Sequence, residues 1–322
     1  MNTPIYELIK KAIVNGEIPR GFSVFEQQDD VTFADGAKDG IRFYHMGPQI
    51  LNGHDYEMMC EAIDAANKRN FDLADRLFSD LSEKIDALSI IDKLQNYVFD
   101  IKETLDATTI YDYCMRLITS SDNAECIKYA LSILELMNTD DDETRNIIKT
   151  LALSDEFTFF CIHIMKKWSD GNKVIFEIAK KVSGWGRIFA IRELRALDPY
   201  YEEIRKWLLE EGVDNDVMPA YSALDVWRNG NVGSTLYTHP TPKQLAHIRD
   251  IIDALLDEGP VIGLSALDKK EEIIMVFLNE LNKVPLSHPD YVVIEHICDY
   301  FKDKEGSKQI INLAENVLKN NK

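Results

Sequence analysis

The sequence predicts an all-α chain whose helices stack in antiparallel pairs as an α-α superhelix, with one small β-hairpin near the N-terminus. Two observations carry this prediction. From about Asp55 to Arg228, apolar residues recur at helical spacing almost without a break. Taken in pairs, those helices begin near positions 71, 107, 141, 170 and 200, with steps of roughly 30 to 36 residues, a repeat length typical of stacked helical pairs. One helical hairpin cannot bury both of its apolar stripes, so stacking on neighbours is needed to close a core.

The elements follow in chain order. Thr3-Pro4 reads as a helix start, Ile5, Leu8, Ile9, Ala12 and Ile13 as its apolar stripe, and Asn15-Gly16 as its stop. The runs Phe22–Phe25, Val31–Phe33 and Ile41–Tyr44 are short and rich in β-branched and aromatic residues. Asp35-Gly36 and Asp39-Gly40 punctuate them, which predicts a hairpin with a possible third strand. That hairpin is expected to cap the apolar end of the first helical pair; a partner-binding edge is the other reading. Asp122 with Glu125 and Asp140 with Glu143 have capping-box spacing, and Ser89 and Asp198-Pro199 also read as starts. Asn229 to His239 has no periodic apolar residues and reads as a loop or hinge, after which Thr241-Pro242 restarts a helix. The expected organisation is therefore an N-terminal helix and hairpin cap over 1–54, helical repeats over 55–228, a linker or loop over 229–240, and C-terminal helices over 241–322 that continue or cap the array.

Composition narrows the function. Of 322 residues, 45% are hydrophobic and 28% charged, as in a folded globular protein. Asp plus Glu number 55 against 36 Lys plus Arg, a formal charge of -19, which repels nucleic acid and anionic membrane at long range. The five cysteines, Cys60, Cys114, Cys126, Cys161 and Cys298, lie at least 12 positions apart. That matches neither a metal site nor a disulfide framework and favours a reducing compartment. Met1 to Val14 lacks the pattern of a signal peptide, and no apolar run is long enough to span a membrane. A cytoplasmic protein without membrane contact is expected.

No catalytic motif stands out. The seven histidines form no HExxH, there is no Gly-x-Ser-x-Gly elbow, and Asp140–Glu143 lacks calcium-loop spacing. No cofactor, no metal and no catalytic residue is expected. One region does differ from the rest. All four tryptophans, Trp168, Trp185, Trp207 and Trp227, lie within a 60-residue stretch. From Lys166 to Lys206 there are ten Lys and Arg against six Asp and Glu, a local excess of cations in an acidic chain. Trp168, Trp207 and Trp227 have aliphatic neighbours at helical spacing and are expected in the core, whereas Trp185, at a helix start, is the surface candidate. The glycines of Gly184-Trp-Gly186 precede a helix carrying Arg187, a place where backbone donors can take an anion. They also permit a tight turn with Trp185 packed over it, the plainer of the two readings. The candidate set for ligand or partner binding is Trp185, Arg187, Arg192, Arg195 and Trp207.

The segment Ser183-Gly-Trp-Gly-Arg-Ile-Phe-Ala-Ile-Arg-Glu-Leu-Arg-Ala-Leu197, with Asp198-Pro199 and Ile204 to Gly212, resembles one HEAT-type repeat. It is similar to a group of bacterial HEAT-like (armadillo-type) proteins that share a Gly-Trp-Gly-Arg-Ile helix start. The resemblance covers roughly 40 residues, and the remainder matches only as repeated helical pairs. It implies an α-solenoid that binds a protein partner as a scaffold. The alternatives are a nucleic-acid-acting HEAT protein similar to the alkylpurine DNA glycosylases, which the net charge opposes, and a solenoid with a small-molecule pocket.

Overall fold

The computed structural model describes residues 3–25, 33–196, 201–304 and 307–320. Among them are eighteen α-helices, packed against one another, and no β-strand; Val14 and Glu17 form one isolated bridge. The chain divides into two compact units, 1–190 and 191–322, and the division falls inside helix α11.

The first unit begins with α1 (Ile5–Ala12) and α2 (Ala37–Ile41), the latter continuing into a π-helical turn, Arg42–Met46. There follow α3 (Gly53–Asn67), α4 (Phe71–Ser82), α5 (Ala87–Asp100), α6 (Ala107–Ser120) and α7 (Ala124–Leu134). The unit then runs through α8 (Asp142–Leu151), α9 (Asp155–Met165), α10 (Gly171–Ala179) and the start of α11 (Trp185–Glu193). Consecutive helices pair (α3 on α4, α6 on α7, α8 on α9), and next-but-one helices also pack, α5 on α7 and α7 on α9. This neighbour pattern is compatible with a helical repeat. The central helix is α7, and all eleven of its residues except Glu125 are buried to below a tenth exposure, Lys128 included.

The second unit holds α12 (Tyr201–Glu211), α13 (Ala220–Asn229), α14 (Val232–Tyr237), α15 (Pro242–Leu256), α16 (Lys270–Leu281), α17 (His288–Phe301) and α18 (Lys308–Asn320). Here too next-but-one neighbours pack, α13 on α15, α15 on α17 and α16 on α18.

Local chemistry explains where the helices start. The Asp86, Asp106, Asn123 and Asp141 side chains accept from backbone N–H groups in the first turns of α5, α6, α7 and α8. Two of these caps lie one residue after the expected Asp122 and Asp140, and Asp86 rather than Ser89 opens α5. Thr241 with Gln244 forms a full capping box, and Ser287 with Asp290 forms another.

The expected N-terminal hairpin is overturned. Phe22–Phe25 and Phe33 are not in strands, Ile41–Tyr44 closes α2 and enters the π turn, and Val31 lies outside the described residues. The cause is tertiary packing. The rings of Phe43 and Tyr44 are taken up by Phe159, Phe189 and Trp185, with centroids 5.7 to 6.5 Å apart, which a flat strand would not allow. Within 229–240, where a loop or hinge was expected, α14 forms because Val232 and Leu236, one helical turn apart, are both fully buried. Among the described residues, no helix is long and apolar enough to cross a membrane.

Candidate functional site

The five residues singled out from sequence do not gather on an open surface. In the first unit, Trp185 is 6% exposed and Arg187 8%. The Trp185 ring lies flat against the backbone of Gly40, where a Cβ would stand 2.2 Å from a ring carbon. The helix N-terminus that was a candidate anion site already holds an anion of the protein's own. Asp155 Oδ1 accepts from the Gly186 N–H at 2.7 Å, and a Cβ on Gly186 would collide with that carboxylate and with the Thr158 hydroxyl. The two glycines therefore permit close packing. In the second unit, Trp207 is 8% exposed, Arg192 is half-buried and Arg195 is exposed. Arg195 donates to the carbonyls of Arg192 and Leu194. Burial pushes the Asp225 carboxyl above its ordinary range, and Arg192, Arg195 and Arg228 pull it back down. Of the ten local cations, Lys167 pairs with Glu135 at 3.6 Å, Lys180 with Glu177 at 2.8 Å and Arg205 with Glu202 at 3.6 Å.

The cleft that sequence reasoning missed is in the first unit. It has a volume of about 630 Å³, within the range of ligand sites. One wall is the π turn and the loop after it, Arg42, Phe43 and Gly47–Ile50; the others are the start of α5, Ser132 and Glu135, and Phe159, Phe160 and His163 of α9. The lining is mostly apolar. Phe43 meets Phe159 at 6.0 Å, and Phe159 meets His163 at 4.8 Å, so aromatic rings line one side. Apolar surface is exposed at the rim, where Phe43 is 37% exposed and Ile50 91%, and continues to Met46, 67% exposed, outside the cleft. A π turn is a common mark of a functional site because its extra residue re-aims side chains. Here the Gly47 N–H reaches back five residues to the Arg42 carbonyl, at 2.9 Å, and Phe43 faces the cleft.

This wall, residues 33–50, is a strap tied down by polar groups. Asp35 Oδ2 accepts from the Val24 N–H at 3.2 Å and from the Ser154 hydroxyl at 3.3 Å. The Gly36 N–H donates to Glu156 at 2.7 Å. Arg42 pairs with Asp86, whose other oxygen caps α5. The Gln49 N–H donates to the Ser89 hydroxyl at 2.8 Å, and its side-chain carbonyl accepts from the Asp86 N–H at 2.9 Å.

Beneath the strap sits a charge cluster nearly closed to solvent, with Glu125, 12% exposed, at its edge. The Lys128 ammonium, fully buried, lies 2.5 Å from Glu156, 2.7 Å from Asp39 and 3.2 Å from Glu125. Glu125 also accepts from the Ala87 N–H at 2.7 Å and has Lys38 at 3.8 Å. Three carboxylates raise the Lys128 pKa well above its ordinary value despite its burial. Burial lifts Asp39 to about 6, against the pull of Lys128, and Glu125 and Glu156 add to the lift. Glu125 shows the opposite result. Burial raises it, yet Lys128, the Ala87 N–H and Lys38 together hold it below its ordinary value. A lysine inside the mostly apolar run 126–134 was a visible signal, but nothing in the sequence said which acids it would meet.

No protein-family model, no curated protein and no solved structure matches this chain.

Proposed function

We propose that this is a HEAT-like helical-repeat protein that acts as a protein-interaction scaffold. Its first unit takes an apolar side chain of a partner segment in the cleft between the strap and helices α5, α7 and α9. The observation that carries the reading is Ile50. An isoleucine at 91% exposure, with Met46 beside it at 67% and Phe43 at the cleft mouth, costs solubility unless something covers it. A small molecule enclosed in the cleft would touch Ile50 from one side only and leave Met46 uncovered, whereas a polypeptide lying across the mouth covers both. The chain's charge of -19 favours a partner segment with basic residues beside its apolar anchor. The nucleic-acid reading has no such support, since Trp185, Arg187 and Trp207 are buried and offer no stacking face.

The test is a photo-crosslinking amino acid placed at position 50, with position 102 as an exposed control, in cells of the source organism. A discrete adduct from position 50 alone is expected, whose protein, once purified, binds the wild type at least tenfold more tightly than Ile50→Asp. Identical adducts from both positions, or an affinity that ignores Ile50→Asp, overturn the proposal.

A further inference from the structure

We infer that the strap is a proton-controlled latch: protonation of Asp39 seats residues 37–50 on helices α7 and α9, and its ionisation loosens them and the cleft wall they form. As regulation of the cleft, this rests on the binding reading above; as a statement about the strap, it stands alone.

The geometry starts from an imbalance. Three carboxylates, Asp39 of the strap, Glu125 of α7 and Glu156 of α9, surround one ammonium, that of Lys128. Lys38, half-exposed, lies at their edge, 3.8 Å from Glu125. From α11 the strap meets an uncharged ring, Trp185 against Gly40, and one turn further along Arg42 is spent on Asp86 of α5. Asp39, itself 2% exposed, thus faces two acids and a shared cation in a site closed to water except at the Glu125 edge.

The three carboxylates are not equivalent. Glu156 accepts from the Gly36 N–H and Glu125 from the Ala87 N–H, so each has a hydrogen-bond donor besides Lys128. Asp39 has the Lys128 contact through Oδ2, while its Oδ1 is buried without a hydrogen-bond partner. An orphaned carboxylate oxygen in such a place is costly. A proton there removes one excess negative charge and keeps Lys128 paired with Glu125 and Glu156. The raised pKa of Asp39 agrees in sign. Because Asp39 is the only one of the three on the strap, the cost of its ionisation is relieved when the strap lifts and the carboxylate reaches water.

The sign of the linkage follows. A carboxyl near 6 when seated and near its ordinary 3.8 when released makes release easier as pH rises between those values and beyond, up to a limit above 6. Between pH 5 and 7.5 the opening equilibrium of the strap grows about tenfold.

Hydrogen exchange on the full chain tests this, read by mass spectrometry at pH 5.0, 6.0 and 7.5 and corrected for the intrinsic pH dependence of exchange. Amides of residues 37–50 are expected to lose about tenfold in protection from pH 5.0 to 7.5, while those of α4 stay level. Asp39→Asn is expected to keep the strap protected at every pH. Strap protection that is flat with pH in the wild type, or that falls toward acid, overturns the latch, and the wild-type series needs no variant to fold. So does an undiminished pH dependence in Asp39→Asn. Failure of the crosslinking at position 50 with the exchange signature intact would remove the binding reading and leave the latch standing.

Discussion

The indole of Trp185 occupies the space that a side chain at position 40 would need. A Cβ there would lie 2.2 to 2.6 Å from three ring carbons, and the ring is itself held by Tyr44 at 6.0 Å and Phe189 at 6.4 Å. Neither partner has room to give. Gly40→Ala is therefore expected to lower stability by roughly 1 to 3 kcal/mol, the usual cost of overpacking a closed site. Urea unfolding followed by far-UV circular dichroism measures it, and a midpoint equal to the wild type would show that the strap is not seated on Trp185.

Lys128 gives a larger effect of a different kind. Its stem runs through the core of α7 and its ammonium is the common partner of Asp39, Glu125 and Glu156. Lys128→Met keeps most of the apolar stem but takes the shared cation from buried Asp39 and Glu156 and leaves Glu125 with Lys38 alone. The expected loss is roughly 3 to 5 kcal/mol at neutral pH, the cost of breaking a buried ion pair from one side. The loss is expected to shrink as pH falls, because protons then neutralise the acids. Thermal melts at pH 5 and 7.5 give the comparison, and a variant equally unstable at both would contradict it.

Asp39→Asn carries the opposite expectation. The folded-state pKa of Asp39, about 6, lies above its ordinary 3.8, so the fold binds this proton more tightly than the unfolded chain does. Its ionisation weakens the fold as pH rises through that window, and the loss is complete above pH 6. The variant should therefore melt higher than the wild type at pH 7.5 and alike at pH 4. A variant that melts lower at pH 7.5 would mean that the ion pair with Lys128 outweighs the burial of the charge.

The helical architecture was legible because it rests on periodicity and caps, which are local. Thr241-Pro242 and the stripe Ile248, Ile251, Ile252, Leu255 gave α15 outright, and the core of α7 was visible in Ile127, Ala130, Leu131 and Leu134. The strap was not legible. Ile41-Arg-Phe-Tyr44 has strand-like residues, and its helical state comes from rings on Phe159, Phe189 and Trp185, more than 100 residues away. The burial of three of the five candidate site residues, Trp185, Arg187 and Trp207, was not legible for a related reason. An excess of cations from Lys166 to Lys206 is a one-dimensional fact, and it does not say that Lys167 meets Glu135 or that Arg187 turns inward. The cleft draws on residues from 42 to 163, a juxtaposition no local pattern encodes.

The cysteines provide a test of the first unit that needs no substitution. Cys114 and Cys161 are wholly buried, and burial pushes both thiols far above their ordinary value; Cys126, 4% exposed, is pushed up to about 12. Cys60 and Cys298 are only partly covered, and burial raises them less. The thiolate is the reacting form, so both low access and a raised pKa slow the attack on a disulfide reagent. Native protein treated with Ellman's reagent at pH 8 is expected to release two equivalents quickly and three only on unfolding. Because Cys126 and Cys161 lie on α7 and α9, and Cys114 on α6 packed against α7, their slow phase reports opening of the helices that carry the charge cluster and of their neighbour. Lys128→Met should therefore accelerate that slow phase at neutral pH and leave the fast one unchanged. Three or more fast equivalents in the wild type would mean that this core is open to solvent, and a slow phase indifferent to Lys128→Met would mean that the cluster does not hold these helices together.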